Sequence, residues 1–215
     1  MSPQNSLETK KPREQAGRDS FARYKAQVRS AAIASLSILE GGEVDRVYCD
    51  LHDDFVIRRN IDGKSLYDFY QVKTHGKSNH NWTICEIFGI DPKVKDQSKI
   101  SSNKIKDSFG GKLLLHTVNF GENCQAVVFQ TNVNLHDSLE ALVQDIEVGD
   151  YTNNCINLIL ERFNDCYSSD AGGNISSTSA KECLQKLKVE TDVIYLKEGS
   201  NYFEPVVKVS ISTQN

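Results

Sequence analysis

Two short stretches carry residue types that phosphodiester chemistry uses. The first, "DLHDDFVI", runs from Asp50 to Ile57 and sets Asp50, His52, Asp53 and Asp54 beside apolar residues. The second, "DFYQVKTHG", runs from Asp68 to Gly76 and brings Gln71 and Lys73 out of a β-type run. Alternate side chains of a strand share a face, so Gln71 and Lys73 point one way and Val72 points the other, toward a core. Asp50, His52 and Asp54 share one parity, and Asp53 has the other. If the two strands pair antiparallel, one acid from 50–54 stands beside Gln71 and Lys73. A carboxylate there would hold Mg²⁺, a hard cation that takes oxygen ligands and keeps several waters. The cation polarises a phosphate and lowers the pKa of a bound water. A nearby lysine orients that water or stabilises negative charge building on phosphorus. The glutamine oxygen is a neutral ligand where a second carboxylate would otherwise sit. As bare spacing the pattern is weak, because a sheet edge with scattered charge produces it too.

The residues around these stretches narrow the choice. "PREQAGRDSFARYKAQ", "VYCDLHDDFVI", "DFYQVKTHGKSNHNW" and "VVFQTN" follow one another along the chain. Together they resemble the PD-(D/E)xK nuclease superfamily in its QxK variant. The resemblance is closer to the DNA endonuclease domain that CBASS anti-phage effectors fuse to a SAVED sensor domain. The same domain type accompanies HerA-like ATPases and other defence modules. By motif the resemblance spans roughly residues 12–135, and by size it suits the whole chain.

The resemblance implies roles residue by residue. Asp54 is the preferred metal-binding acid, Lys73 the catalytic lysine, and Gln71 takes the place of the second acid. Asp53 is the rival of Asp54, because a bulge at "HDD" would reverse which one faces the site. Asp50 is a further acid on the same face. Mg²⁺ is the implied cofactor, with Mn²⁺ as an alternative, and the glutamine favours one firmly held metal over two. The implied substrate is double-stranded DNA, cut with little sequence specificity. The implied partners are further copies of the chain on activation and a C-terminal SAVED sensor or a HerA-like ATPase. A non-catalytic module that keeps the nuclease fold for assembly or nucleic-acid binding is the competing reading, and Gln71 in place of an acid favours it.

Charge distribution fits a nucleic-acid partner better than net charge does. The chain of 215 residues has a formal charge of −4. Residues 1–30 and 73–112 each carry +4, which leaves −12 on the rest. Such asymmetry lets an acidic protein present a basic surface. Lys77, Lys93, Lys95, Lys99, Lys104 and Lys106 are the candidate phosphate contacts, which give affinity and salt sensitivity but no base readout. Arg18, Arg23 and Arg29 extend that surface from the first helix or are merely solvated. His75 and His80 are too poorly spaced for a zinc site and read as a solvent loop. Trp82 reads as a core residue. The six cysteines lie too far apart for a CxxC motif, and no phosphate-binding glycine loop or G-x-S-x-G is present. No apolar run is long enough to span a bilayer and the N-terminus has no secretory pattern, so the expected location is the cytoplasm.

The elements that must position the site follow from periodicity. Residues 1–12 read as a disordered arm and 13–215 as one nuclease domain, the N-terminal part of a longer effector cut at "VKVSISTQN". "GRDSFARYKAQVRSAAIASLSILEGG" predicts a first helix capped by Asp19 or Ser20, with an apolar stripe of Phe21, Tyr24, Val28, Ala31, Ala32 and Leu39. Gln27 lies on or beside that stripe and needs a partner. "DRVYCDL", "DDFVIRR" and "LYDFYQVKT" predict strands, the last two joined by a turn at Asp62-Gly63. Short helices are expected near "WTICEIFG" and over 96–109, and "KLLLHTVNF" suits a helix or a strand. "CQAVVFQTN" predicts a central strand covered on both faces. Helices follow at "LHDSLEALVQDI", "NNCINLILERFNDCYS" and, capped by Ser179, "SAKECLQKLKVE". "DVIYLKE" and "EPVVKVSIS" predict closing strands. This order gives an α/β fold, a restriction-endonuclease-like mixed central sheet flanked by helices.

Overall fold

The computed structural model describes residues 15–77, 79–94, 96, 99–197, 203–204 and 207–208. The arm expected over 1–12 and Lys95 lie outside the described residues.

Helix α1 (Gln15–Leu39) leads into strands β1 (Val44–Leu51), β2 (Asp53–Ile61) and β3 (Lys64–Lys73). A short strand β4 (Asn81–Trp82) precedes helices α2 (Ile84–Phe88), α3 (Ser102–Lys106) and α4 (Phe109–Phe120). Strands β5 (Cys124–Thr131) and β6 (Asn134–Leu135) follow. Then come helices α5 (Asp137–Val148), α6 (Asn154–Glu161), α7 (Phe163–Tyr167) and α8 (Ser177–Gln185), and strand β7 (Leu187–Glu190).

The main sheet has the order β1-β2-β3-β5-β7. Its first two pairings are antiparallel and its last two parallel, so it is the mixed central sheet the sequence predicts. β4 and β6 form a separate two-stranded parallel sheet. A parallel pairing needs a crossover, and α4 supplies it between β3 and β5. β3 therefore lies in the middle of the sheet with a core on either face. Phe69 packs into the larger core with α4 to α8. Val72 packs into a smaller one beneath α1, with Phe55 and Ile57.

Helix α1 corrects the expected stripe. It starts at Gln15, ahead of the predicted caps, and it buries Ala26, Ser30 and Ala31 while Phe21, Tyr24, Val28 and Leu39 stay exposed. Small side chains let a helix backbone lie close on a sheet, so this helix docks through its smallest residues. A pattern weighted by large apolar groups points to the wrong face.

Other expectations change, and the helix-or-strand alternative at "KLLLHTVNF" resolves to a helix. The helix over 96–109 contracts to α3, and "KLLLHTVNF" belongs to α4, which Ser108 caps by accepting from the Gly111 amide. Ser176, three residues before Ser179, caps α8. The segment Leu187–Glu190 leaves that helix to become the edge strand β7. Ile194–Leu196 forms a 3₁₀ turn rather than a strand, and Glu204, Val207 and Lys208 of the last expected strand are helical. No helix among the described residues is long and apolar enough to cross a membrane.

Candidate active site

The site begins at the β1–β2 turn. Leu51 pairs with Asp53 across it, and His52 at its tip has φ 67°. Asp50 is also left-handed, with φ 58°. Asp and His tolerate this region better than most residues do, so the sequence suits a tight turn without glycine. Side-chain alternation fails at the start of β2. Phe55 faces α1 and Val56 faces the opposite core. Strict alternation would send Asp53 toward α1 and Asp54 away from it, and the contacts are the reverse.

Asp54 sits where the β2–β3 ladder ends, just beyond the Phe55–Tyr70 pair. Its Oδ2 accepts the Val72 backbone N–H at 2.7 Å, a donor the ladder leaves free. Its Oδ1 accepts from Gln27 Nε2 of α1 at 2.6 Å. Lys73 Nζ stands 3.6 Å from Oδ2, an ion pair rather than a hydrogen bond. Burial pushes the Asp54 carboxyl above its ordinary range, and Lys73, the Val72 amide and Gln27 pull against it. A cavity of about 20 Å³ lies beside it, lined by Tyr24, Gln27, Val28, Cys49, Asp50 and Asp54. That is room for roughly one water.

Gln71 and Lys73 share the other face of β3. Gln71 is 8% exposed. Its Oε1 is buried and has no hydrogen-bond partner among the described residues. A buried acceptor of this kind is costly unless something fills it. The Lys73 ammonium lies 5.3 Å above the Phe109 ring, which steers it along the site. The structure thus brings Asp54 and Lys73 into contact, with Gln71 on the lysine's strand face and Asp50 at the shared cavity. It turns Asp53 to the opposite side, where its carboxylate meets His116 of α4. Among the described residues, no three His, Cys, Asp or Glu side chains gather as a metal cage.

The loop after Lys73 is held in place. Asn132 clamps His75 at two points, accepting its N–H at 2.8 Å and donating to its carbonyl at 2.9 Å. The rings of His75 and His80 stack at 3.9 Å, and His80 Nε2 lies 3.3 Å from Glu86. This replaces the expected solvent loop with a packed one. Trp82 closes its underside as a core residue, donating from Nε1 to the buried Thr131 at 2.8 Å.

The family model described as the Cap4 double-stranded DNA endonuclease domain matches residues 15–201. The chain belongs to this family. Searches of curated proteins and of solved structures return no match. The Cap4-type domain is therefore a nuclease domain whose family acts on double-stranded DNA.

Among the lysines proposed for phosphate contact in this Cap4-type domain, Lys77, Lys93, Lys99 and Lys104 are exposed. Lys99 pairs with Asp96 at 3.7 Å, and Lys106 is engaged by Asp170 at 2.7 Å. Sequence reasoning assigned no site role to Gln27, Asn132 and His116. Gln27 carried a signal, a polar amide beside an apolar stripe. Asn132 stood at the end of a quoted motif, and His116 carried no signal.

Proposed function

We propose that this chain is a metal-dependent endonuclease domain that cuts double-stranded DNA with little sequence specificity. In this reading it serves as an effector of anti-phage defence in the bacterial cytoplasm, as the N-terminal part of a longer protein. The observation that carries the reading is the contact of Asp54 with Lys73, whose face of β3 also carries the buried Oε1 of Gln71, unpartnered among the described residues. An orphaned amide oxygen on the strand face of that lysine suits a hard divalent cation, which seeks oxygen ligands and completes its shell with waters.

Asp54 and Gln71 would hold Mg²⁺, or Mn²⁺ in its place, with Asp50 as a further acid. The bound cation supplies positive charge to the phosphate and lowers the pKa of water. Lys73 holds an ammonium against charge that builds on phosphorus, in a setting where its one acid partner is already fixed. Gln27 and the Val72 amide hold that acid. Lys77, Lys93 and Lys104 meet the DNA backbone and set orientation, and they read no bases. A SAVED sensor or a HerA-like ATPase would bring copies together.

A non-catalytic nuclease-fold module is supported by one observation, the lack of a three-residue acid or histidine cage among the described residues. Supercoiled plasmid incubated with Mg²⁺, with and without EDTA, separates the two readings. Cleavage by the wild type that EDTA stops and Lys73→Ala lacks supports the enzyme. Equal cleavage by Lys73→Ala removes the lysine from the mechanism. Absence of cleavage together with no Mg²⁺ or Mn²⁺ binding in calorimetry, with DNA present, favours the module.

A further inference from the structure

We infer that Asp53 and His116 are a positioning pair that fixes the direction of Asp54. The inference rests on the nuclease reading above and adds to it two residues that touch neither metal nor DNA.

The Asp53 and His116 side chains are only 7% and 11% exposed. Asp53 Oδ2 lies 3.2 Å from His116 Nε2. An ionised carboxylate only accepts, so Nε2 carries the proton and donates. The other oxygen, Oδ1, accepts the backbone N–H of Asp54 at 2.9 Å. One carboxylate thus ties the peptide that carries Asp54 to helix α4.

The histidine is itself held. Its ring stacks on Phe69 at 4.4 Å and 9°. Phe69 lies on β3 two residues before Gln71, so the ring that seats His116 belongs to the strand that presents Gln71 and Lys73. His116 therefore relates the turn bearing Asp54 to the strand bearing its partners. Two left-handed residues make that turn a place where the chain would relax if released. Stability alone explains the pair poorly, because burying two polar groups costs desolvation that their hydrogen bond returns only in part. What apolar groups would not supply is the bond to the Asp54 amide. An exchange of directions between Asp53 and Asp54 would remove the contact with Lys73.

Three variants of the 215-residue chain test this. His116→Phe keeps the ring on Phe69 and removes the donor. His116→Gln keeps a donor at similar reach. Asp53→Asn keeps the shape of the acid and weakens its hold on Nε2–H, and it carries the same expectation if His116→Phe does not fold. Metal-free protein gives the first readout, hydrogen exchange at the Asp54 amide by NMR. Calorimetric titration with Mn²⁺ gives the second, and cleavage kinetics give the third. His116→Phe should speed exchange at Asp54, weaken Mn²⁺ binding about tenfold and lower kcat about tenfold or more, with the KM for DNA within about twofold. His116→Gln should recover most of each loss. Unchanged exchange and unchanged Mn²⁺ affinity in a folded His116→Phe overturn the pair's role. A wild type that binds no Mn²⁺ defeats the metal reading instead, and exchange at Asp54 still decides for or against the positioning.

Discussion

Asp54 Oδ2 lies 3.6 Å from Lys73 Nζ and 2.7 Å from the Val72 amide, so one oxygen joins the start of β2 to the last two residues of β3. The acid and the lysine are therefore not independent. Removing the lysine leaves a half-buried carboxylate with only neutral donors. Lys73→Ala should lose at least about 10²-fold in plasmid cleavage rate. Circular dichroism should show the fold retained. A variant that cleaves at the wild-type rate would place the working cation elsewhere.

Gln71 offers a sharper test of the metal reading, because its Oε1 lacks a partner among the described residues. Gln71→Ala should raise the Mg²⁺ concentration for half-maximal cleavage about tenfold. Gln71→Glu should lower it and also lower the melting temperature of the metal-free protein, since a carboxylate is then buried where a neutral amide stood. Mg²⁺ should restore that temperature. Identical Mg²⁺ dependence in the wild type and both variants would mean that Gln71 is not a ligand.

The sheet was legible from sequence because β-branched and aromatic runs with turn residues between them are local signals. The shared face of Gln71 and Lys73 follows from that periodicity alone. Which of Asp53 and Asp54 meets Lys73 did not follow, because the contacts of both acids depart from the alternation that Phe55 and Val56 keep. Parity is reliable inside a strand and fails at a tight turn. Helix α1 misled for a different reason. Its contact with the sheet runs through Ala26, Ser30 and Ala31, which carry little hydrophobic weight. Gln27 then found its partner 27 residues away, and His116 found Asp53 from another element. Such contacts are set by tertiary packing and leave no mark on spacing.

The seat of α4 depends on one close approach. A Cβ on Gly111 would fall 1.9 Å from the Ile105 carbonyl oxygen and 2.7 Å from that of Lys106. Both are backbone atoms, so no side chain can swing aside. Gly111→Ala should cost about 2 kcal/mol or more, read from the urea midpoint. Because α4 carries His116, the same variant should also weaken Mn²⁺ binding. An alanine variant as stable as the wild type would show that α3 and α4 pack less closely than this.

Asp68 should give the stability a pH dependence of known sign. It is buried on β3, with Oδ2 2.8 Å from Arg59 Nε and Oδ1 unpartnered among the described residues. Burial pushes its carboxyl above the ordinary value of 3.8, and the Arg59 hydrogen bond and charge pull it back only in part. The folded state therefore holds the proton more tightly than the unfolded state does. This contribution to stability is present at low pH and is lost as pH rises from the ordinary carboxylate value through the folded pKa. Asp68→Asn removes the titration and keeps an oxygen for Arg59. The stability of the variant relative to the wild type should therefore improve from about pH 4 upward and then level off. Urea unfolding across that range reads the difference, and a difference that stays flat with pH would mean that Arg59 fully compensates the buried acid.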